Sequence, residues 1–182
     1  MPIQSRVWDF MVPVKDYATV SEDQPLSEAV LTLRRVYCQV EDGTCTEAGH
    51  RTALVLDAKG TLVGILDFKS ILAVLVPEIA GGVSARLESL GVTVTFAEAD
   101  VLDIDETRAA FRARVLRNAQ TRVKDVMLKL RGTIAADSDL MDALKLMYKN
   151  RIVVLPVFRD SELVGVLRDS DLFLAVASVF SE

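Results

Sequence analysis

Apolar residues recur along the chain with two different spacings, and these spacings alternate. Residues 26–33 and 140–147 each place apolar side chains three and four positions apart, which is the spacing of an amphipathic helix. Residues 53–56 and 152–157 are short continuous apolar runs, typical of strands that are covered on both faces. A polar turn, a further apolar run and a last apolar stripe follow each of them. The pattern therefore predicts the order strand, helix, strand, strand, helix, and predicts it twice.

The two halves of the pattern share short phrases in the same order. Residues 62–66 read Leu-Val-Gly-Ile-Leu, and residues 163–167 read Leu-Val-Gly-Val-Leu. Upstream, each half has an Asp-x-Met triplet, a Thr followed by Val or Ile, and a Leu-x-[Asp/Glu]-Ala helix start. An insert at about 37–49 interrupts only the first half, between a helix and a strand. Such a duplication predicts two halves that bury their apolar faces against each other.

These ordered phrases resemble a tandem pair of CBS domains, also called a Bateman module, over residues 7–76 and 121–178. The resemblance implies an α/β fold, of mixed α+β type, in which two pseudo-symmetric β-α-β-β-α repeats pack sheet to sheet. We expect repeat 1 at 1–76, an inserted and mainly helical linker at 77–120, and repeat 2 at 121–182. The resemblance also implies a regulatory module without catalysis, usually a homodimer, whose clefts often bind adenosine-containing ligands.

In this family the motif Gly-h-h-[Thr/Ser]-x-x-Asp, with h apolar, places a hydroxyl near a phosphate and the carboxylate on the ribose. Repeat 2 keeps the carboxylate as Asp171 and has Arg168 at the hydroxyl position. A guanidinium can hold a phosphate bidentately, and a carboxylate can accept two hydroxyl hydrogen bonds. Alternatively, Arg168 lies in solvent and Asp171 only complements the helix start. The resemblance implies a ligand cleft made of Thr133, Ile134, Arg151, Val154, Pro156, Arg168 and Asp171.

Repeat 1 departs further from the motif, with Asp67 at the hydroxyl position and Ser70 at the carboxylate position. Asp67 would repel a phosphate, whereas an aspartate is a preferred helix N-cap that needs no ligand. We therefore interpret Asp67 as a cap and expect only a weaker second cleft in this repeat. Its members would be Thr19, Val20, Val55, Asp67 and Ser70.

Composition adds limits rather than a function. The 182 residues are 51% hydrophobic and carry a net charge of -5, which gives no overall attraction to nucleic acid or acidic membranes. The start of the chain does not resemble a signal peptide, and no apolar run approaches the roughly 20 residues of a membrane span, so we expect a cytoplasmic protein. Cys38, Cys45 and His50 are too few for a zinc site, and no catalytic constellation is identifiable. We expect no enzyme, no metal and no required cofactor.

The linker predicts a basic helix from Asp103 or Asp105 through Ala119. The leading hypothesis is a module that binds AMP, ADP, ATP or an S-adenosyl compound mainly in the repeat-2 cleft and signals to a regulated protein through changed subunit packing. One alternative is a protein-interaction scaffold whose clefts are vestigial. A weaker alternative is nucleic-acid binding through the arginine-rich helix at 105–119. A solvated helix face, or one that docks on an acidic surface of a second subunit, explains those arginines more simply.

Overall fold

Two α/β repeats face each other through their sheets. A computed structural model describes residues 5–37, 40–41, 44–45, 51–77 and 107–181. The strands, in chain order, are β1 (Val12–Pro13), β2 (Thr19–Ser21), β3 (Val40–Glu41), β4 (Thr44–Cys45), β5 (Thr52–Leu56), β6 (Leu62–Asp67), β7 (Ile134–Ala135), β8 (Val154–Arg159) and β9 (Glu162–Arg168). The helices are α1 (Leu26–Tyr37), α2 (Phe68–Leu75), α3 (Arg108–Asn118), α4 (Leu140–Asn150) and α5 (Asp169–Ala177).

The predicted order of elements is confirmed in both repeats. Repeat 1 runs β2, α1, β5, β6, α2, and repeat 2 runs β7, α4, β8, β9, α5. Each repeat has a central strand that is parallel to its entry strand and antiparallel to the strand after it. The sheet of repeat 1 has the order β2-β5-β6, and that of repeat 2 has the order β1-β9-β8-β7. In the insert of repeat 1, β3 and β4 form a short antiparallel pair, whereas Cys38 and His50 lie outside the described residues.

The central strands are apolar without interruption because both of their faces are buried. On β5, Ala53 and Val55 point into the core that repeat 1 forms between its sheet and its helices. Leu54, between them, points into a separate core that the two sheets form with each other, where it meets Val154 and Val166 of repeat 2. Successive side chains of a strand alternate between its faces, so a strand between two cores needs apolar residues at every position.

The segment that leads into each repeat packs on the other repeat. Strand β1 pairs with β9 of repeat 2, and Val7 is fully buried in the core of that repeat. Conversely, Leu128 exchanges two backbone hydrogen bonds with Ile65 of β6, at 3.0 and 2.8 Å, and Val123 is fully buried in the core of repeat 1. Neither repeat is therefore complete without the chain that precedes the other.

This exchange explains why both Leu-Val-Gly phrases need their glycine. A Cβ on Gly64 would lie 2.7 Å from the sulfur of Met127, and a Cβ on Gly165 would lie 2.7 Å from the sulfur of Met11. Met11 and Met127 are the methionines of the two Asp-x-Met triplets. The Asp-x-Met triplet of one repeat thus packs across the β-hairpin of the other repeat at a glycine, which has no side chain to obstruct the contact.

We expect Gly165→Ala to lower the free energy of unfolding by about 1–3 kcal/mol, because overpacking of a close contact has that cost. The new Cβ would also lie 2.6 Å from the carbonyl oxygen of Val12. Gly132→Ala is the matched control, since its Cβ would meet no atom closer than 3.5 Å. There the free energy of unfolding should stay unchanged or rise by about 0.4–1 kcal/mol. Urea denaturation measures both variants, and equal stability would contradict the close crossing.

Helix α3 lies on the flank of repeat 1. The hydroxyl of Thr107 accepts a hydrogen bond from the backbone amide of Ala110 at 3.3 Å and caps the helix, which begins at Arg108. Asp103 and Asp105, where the sequence predicts its start, lie outside the described residues. The helix packs against α2. Its apolar stripe consists of Phe111, Val115 and Ala119, which are exposed, half-buried and buried in that order. The module's own flank therefore covers part of that stripe.

Candidate functional site

A cleft opens between the two repeats at the start of α2. Its volume is about 520 Å³, within the range of small-molecule sites. One wall is the first turn of α2 with Thr52 of β5, and the opposite wall is the chain that enters β8, residues 151–154. The third side is the lead-in of repeat 2, residues 128–132, which the backbone hydrogen bonds between Leu128 and Ile65 hold against β6. We call this the α2 cleft.

Four basic side chains line the α2 cleft: Lys69, Lys129, Arg131 and Arg151. Among the described residues Asp67 is the single carboxylate in its lining, so the local balance of these residues is +3. None of the four cations has a carboxylate partner within the ranges that the structure describes. The rest of the lining is largely apolar, with Ile65, Leu128, Ile152, Val153 and Val154. The arrangement can hold an anion next to an apolar group.

Arg151 reaches the cleft from a left-handed backbone conformation. It ends α4 with φ of 51° and ψ of 49°. A non-glycine residue is uncommon in this region of backbone conformations. The left-handed residue stops the helix and turns the chain towards β8, so that Arg151 lines the α2 cleft.

Asp67 is the N-cap of α2, as its capping preference predicts. One of its carboxylate oxygens accepts hydrogen bonds from the backbone amide of Ser70 at 2.7 Å and from the Ser70 hydroxyl at 2.6 Å. The two polar positions of the repeat-1 motif are therefore bonded to each other.

The corresponding positions of repeat 2 form an ion pair. The Arg168 guanidinium donates from Nη2 to Oδ1 of Asp171 at 2.5 Å and from Nε to Oδ2 at 2.9 Å. The backbone amide of Arg168 also donates to Oδ2 at 2.9 Å. Only 8% of the Asp171 side chain is exposed, against 26% of that of Arg168. Hydrogen bonding to this carboxylate raises the pKa of Arg168 above its ordinary value.

A second cavity, of about 620 Å³, lies between the starts of α2 and α5. We call it the α5 cleft. Arg168, Asp169 and Ser170 line it on the side of repeat 2, and Tyr17 and Thr52 line it on the side of repeat 1. The Tyr17 hydroxyl is hydrogen-bonded to the Thr52 hydroxyl, and burial raises the pKa of Tyr17 above its ordinary value. The two clefts are adjacent, because five residues line both of them: Thr52, Asp67, Lys69, Val153 and Val154.

The structure does not bring the residues predicted for the repeat-2 cleft into one group. Arg151 lines the α2 cleft together with Asp67 and Ser70, whereas Arg168 lines the α5 cleft. Val154 lines both, and Asp171 lies behind Arg168. Both clefts are lined by residues of both repeats, and the lead-in of repeat 2 contributes to the α2 cleft. The grouping of these residues in one repeat-2 cleft stays a prediction, whose members the structure divides between two adjacent clefts.

The remaining predicted residues line none of the described cavities. Pro156 is fully buried in β8, and Ile134 belongs to the core of repeat 2. Thr133 is exposed just before β7, and Thr19 is exposed at the start of β2. In repeat 1, Val20 and Val55 lie in the core as well. Core packing accounts for every apolar residue in this set.

Three basic residues of the α2 cleft are not among the predicted site residues: Lys69, Lys129 and Arg131. Lys129 and Arg131 lie beyond the arginine-rich helix, in the chain that leads into repeat 2. The available signal was their position directly after the Asp-x-Met triplet of repeat 2, which crosses to repeat 1.

The described ranges contain no cluster of His, Cys, Asp and Glu that could hold a metal ion. Nor do their helices include one with the length and apolarity that crossing a bilayer requires. The site therefore has to be interpreted from its basic and apolar lining.

Solved structures share this fold. The CBS domain of a CBS domain-containing membrane protein from Sphaerobacter thermophilus matches with a TM-score of 0.64 at 19% identity, over 95% of this chain and 88% of that chain. CBSX2 in complex with AMP matches with a TM-score of 0.61 at 19% identity, over 96% and 97%. CBSX2 from Arabidopsis thaliana matches with a TM-score of 0.60 at 18% identity, over 97% of each chain. No curated protein matches.

The sequence also matches the family model of the CBS domain twice, at residues 7–77 and 123–178. These two matches cover most of the chain, and each contains one complete β-α-β-β-α unit of the structure. The chain is thus a tandem CBS pair and belongs to the CBS-domain family.

Proposed function

We propose that this CBS pair is a regulatory module that binds an adenine nucleotide in the α2 cleft. The observation that carries the proposal is the set of four basic side chains, without carboxylate partners among the described residues, around one cavity of about 520 Å³. Four neighbouring cations repel one another, and a phosphate group would relieve that repulsion.

The lining of the α2 cleft supports a nucleotide rather than a free anion. Leu128, Val153 and Val154 offer apolar surface to a base beside the cations that would hold the phosphates. A phosphate monoester carries about two negative charges near neutral pH, and each further phosphate of a nucleotide adds charge. A local balance of +3 therefore favours ADP and ATP over AMP. It disfavours S-adenosylmethionine, whose sulfonium group is itself a cation.

The choice of adenine rests on likeness to another protein. CBSX2, which has the same fold, is known in complex with AMP. The AMP complex supports an adenosine-containing ligand for this chain as well. The lining of the α2 cleft, which is largely apolar apart from its four cations, the Asp67 carboxylate and a few small polar groups, suits a purine but does not distinguish adenine from guanine.

A nucleotide would act by stabilising one packing of the module over another. A ligand shifts an equilibrium only through different affinities for two states, and the α2 cleft is built from both repeats. We extend the proposal to a non-catalytic role and to a homodimer. The face of α4 and α5 supports a docking role, because Tyr148 and Phe173 are 89% and 71% exposed beside an apolar groove of about 820 Å³. The same face would serve the alternative function of a protein-interaction scaffold.

We expect isothermal titration to give the affinity order ATP, ADP, AMP, S-adenosylmethionine, from tightest to weakest. The affinity for ATP should fall as salt rises, because part of the attraction is electrostatic. Adenosine should bind much more weakly than ATP, since it lacks every phosphate.

Inorganic tripolyphosphate is the control that separates a nucleotide site from an anion site. It should bind more weakly than ATP if the apolar wall holds the base. Equal affinities for tripolyphosphate and ATP would mean that the base contributes nothing to binding and that the cleft is an anion site. S-adenosylmethionine binding as tightly as ATP, or no binding by any of these compounds, would overturn the proposed function.

A further inference from the structure

The α2 cleft and the α5 cleft differ in the hydrogen bonds that their polar motif residues make. At the α5 cleft, Asp171 is the one motif carboxylate at the ribose position, because repeat 1 has Ser70 there. Its two oxygens already accept four hydrogen bonds from Arg168, three from the guanidinium and one from the backbone amide. The lone pairs that a ribose would use are therefore held within the protein.

A ribose would compete poorly for this carboxylate. Its hydroxyls are neutral donors, whereas the guanidinium is charged and meets the carboxylate in a planar, two-point geometry. Displacement would also break the ion pair of the Arg168 side chain, which is only 26% exposed. Such a loss is costly when the pair is partly buried.

The chain around Arg168 keeps the pair in place. Arg168 is the last residue of β9, and Asp171 is the third residue of α5, so the two are separated by a single turn of chain. The backbone of Arg168 is extended, with φ of -107° and ψ of 159°, and its amide bonds to the same carboxylate as its side chain. This geometry is local and needs no ligand.

We propose that Arg168 is a specificity-determining residue that closes the α5 cleft to a ribose. We also propose that the native chain binds a single nucleotide, in the α2 cleft, and this part rests on the proposed function. Removal of the guanidinium frees Asp171 and creates a second site. Arg168 thus sets the number of nucleotides that the module binds.

The test is the number of ADP molecules bound per chain, measured by equilibrium dialysis at saturation. The native chain should bind one ADP, and Arg168→Thr should bind two, because the threonine supplies the hydroxyl and frees the carboxylate. Adding Asp171→Asn to Arg168→Thr should return the number to one. Arg168→Gln is the second variant, since its stem keeps much of the packing while the charge is removed, and it should also expose the second site. Circular dichroism confirms that each variant is folded.

The outcomes separate this proposal from the proposed function. One ADP in the native chain and still one in both Arg168 variants would overturn the closing role and leave the proposed function intact. Two ADP in the native chain, or loss of its single ADP in Asp171→Asn alone, would also overturn the closing role. No ADP in the native chain but one in Arg168→Thr would support the closing role and overturn binding in the α2 cleft.

Discussion

Replacing Arg131 and Arg151 together by alanine is expected to weaken ATP binding by about 100-fold or more. A hydrogen bond to a charged group contributes about 1.5–3 kcal/mol, so the two guanidinium groups together account for at least about 3 kcal/mol. Each 1.4 kcal/mol corresponds to about a tenfold change in affinity. Both residues line the α2 cleft and have no carboxylate partner among the described residues. The loss should therefore appear in binding and leave the fold unaffected.

The control for this variant is Arg108→Ala with Arg112→Ala. These residues lie exposed on α3, line none of the described cavities, and change the net charge by the same amount. Titration of ATP at two salt concentrations should show a large loss and a weaker salt dependence only for the Arg131 and Arg151 variant. Equal losses in both double variants would mean that ATP responds to the overall charge. An unchanged affinity in the cleft variant would mean that the phosphates bind elsewhere.

The second large effect is expected from Leu54→Ala, which should lower the free energy of unfolding by about 2–5 kcal/mol. Leu54 is fully buried between the two sheets, where it meets Val154 and Val166. For a chain of this size such a loss corresponds to a fall of roughly 4–20 °C in the unfolding midpoint. Because the lead-in segments are exchanged, both repeats should unfold in one transition.

The single tryptophan makes this prediction measurable. Trp8 lies on the lead-in of repeat 1, but its backbone amide donates to Ala136 of repeat 2 at 2.9 Å, and the Arg159 guanidinium lies 3.8 Å from its ring centroid. Tryptophan fluorescence therefore reports on repeat 2, whereas Leu54 belongs to repeat 1. Leu54→Ala should shift the fluorescence midpoint and the circular dichroism midpoint equally. A fluorescence midpoint that stays at the native value would show that the repeats unfold separately.

Leu116→Ala is the matched control, because it removes the same atoms from the exposed side of α3. Substitutions at such surface positions usually change stability by no more than about 0.5 kcal/mol. A comparable destabilisation by Leu116→Ala would mean that the loss in Leu54→Ala does not come from the core between the sheets.

The repeats and their fold were predictable from the sequence because local periodicity determines them. The uninterrupted apolar run that contains Leu54 predicts a strand buried on both faces, and the structure places a core on each side of it. The exchange of lead-in segments was not predictable in the same way, since it depends on contacts between Met127 and Gly64, far apart in the chain. The sequence therefore groups Arg151 with residues of repeat 2 alone and assigns Arg131 to no cleft.

The ion pair between Arg168 and Asp171 shows a different limit of sequence reasoning. The prediction considered each side chain with an external ligand, phosphate for one and ribose for the other. Their spacing carried the missing signal, because residues at the N-cap and at the third position of a helix commonly bond to each other. Ser70 and Asp67 have the same spacing in repeat 1 and are also bonded to each other. The chemistry of a residue type indicates a ligand only after its near neighbours are excluded as partners.

A crystal structure of the chain with ATP would locate the phosphates and so show which cleft holds them. We expect phosphate oxygens within hydrogen-bonding distance of Arg131 or Arg151, the base on the apolar wall at Val153, and an intact ion pair between Arg168 and Asp171. Phosphates on Arg168 with the ribose on Asp171 would contradict this expectation.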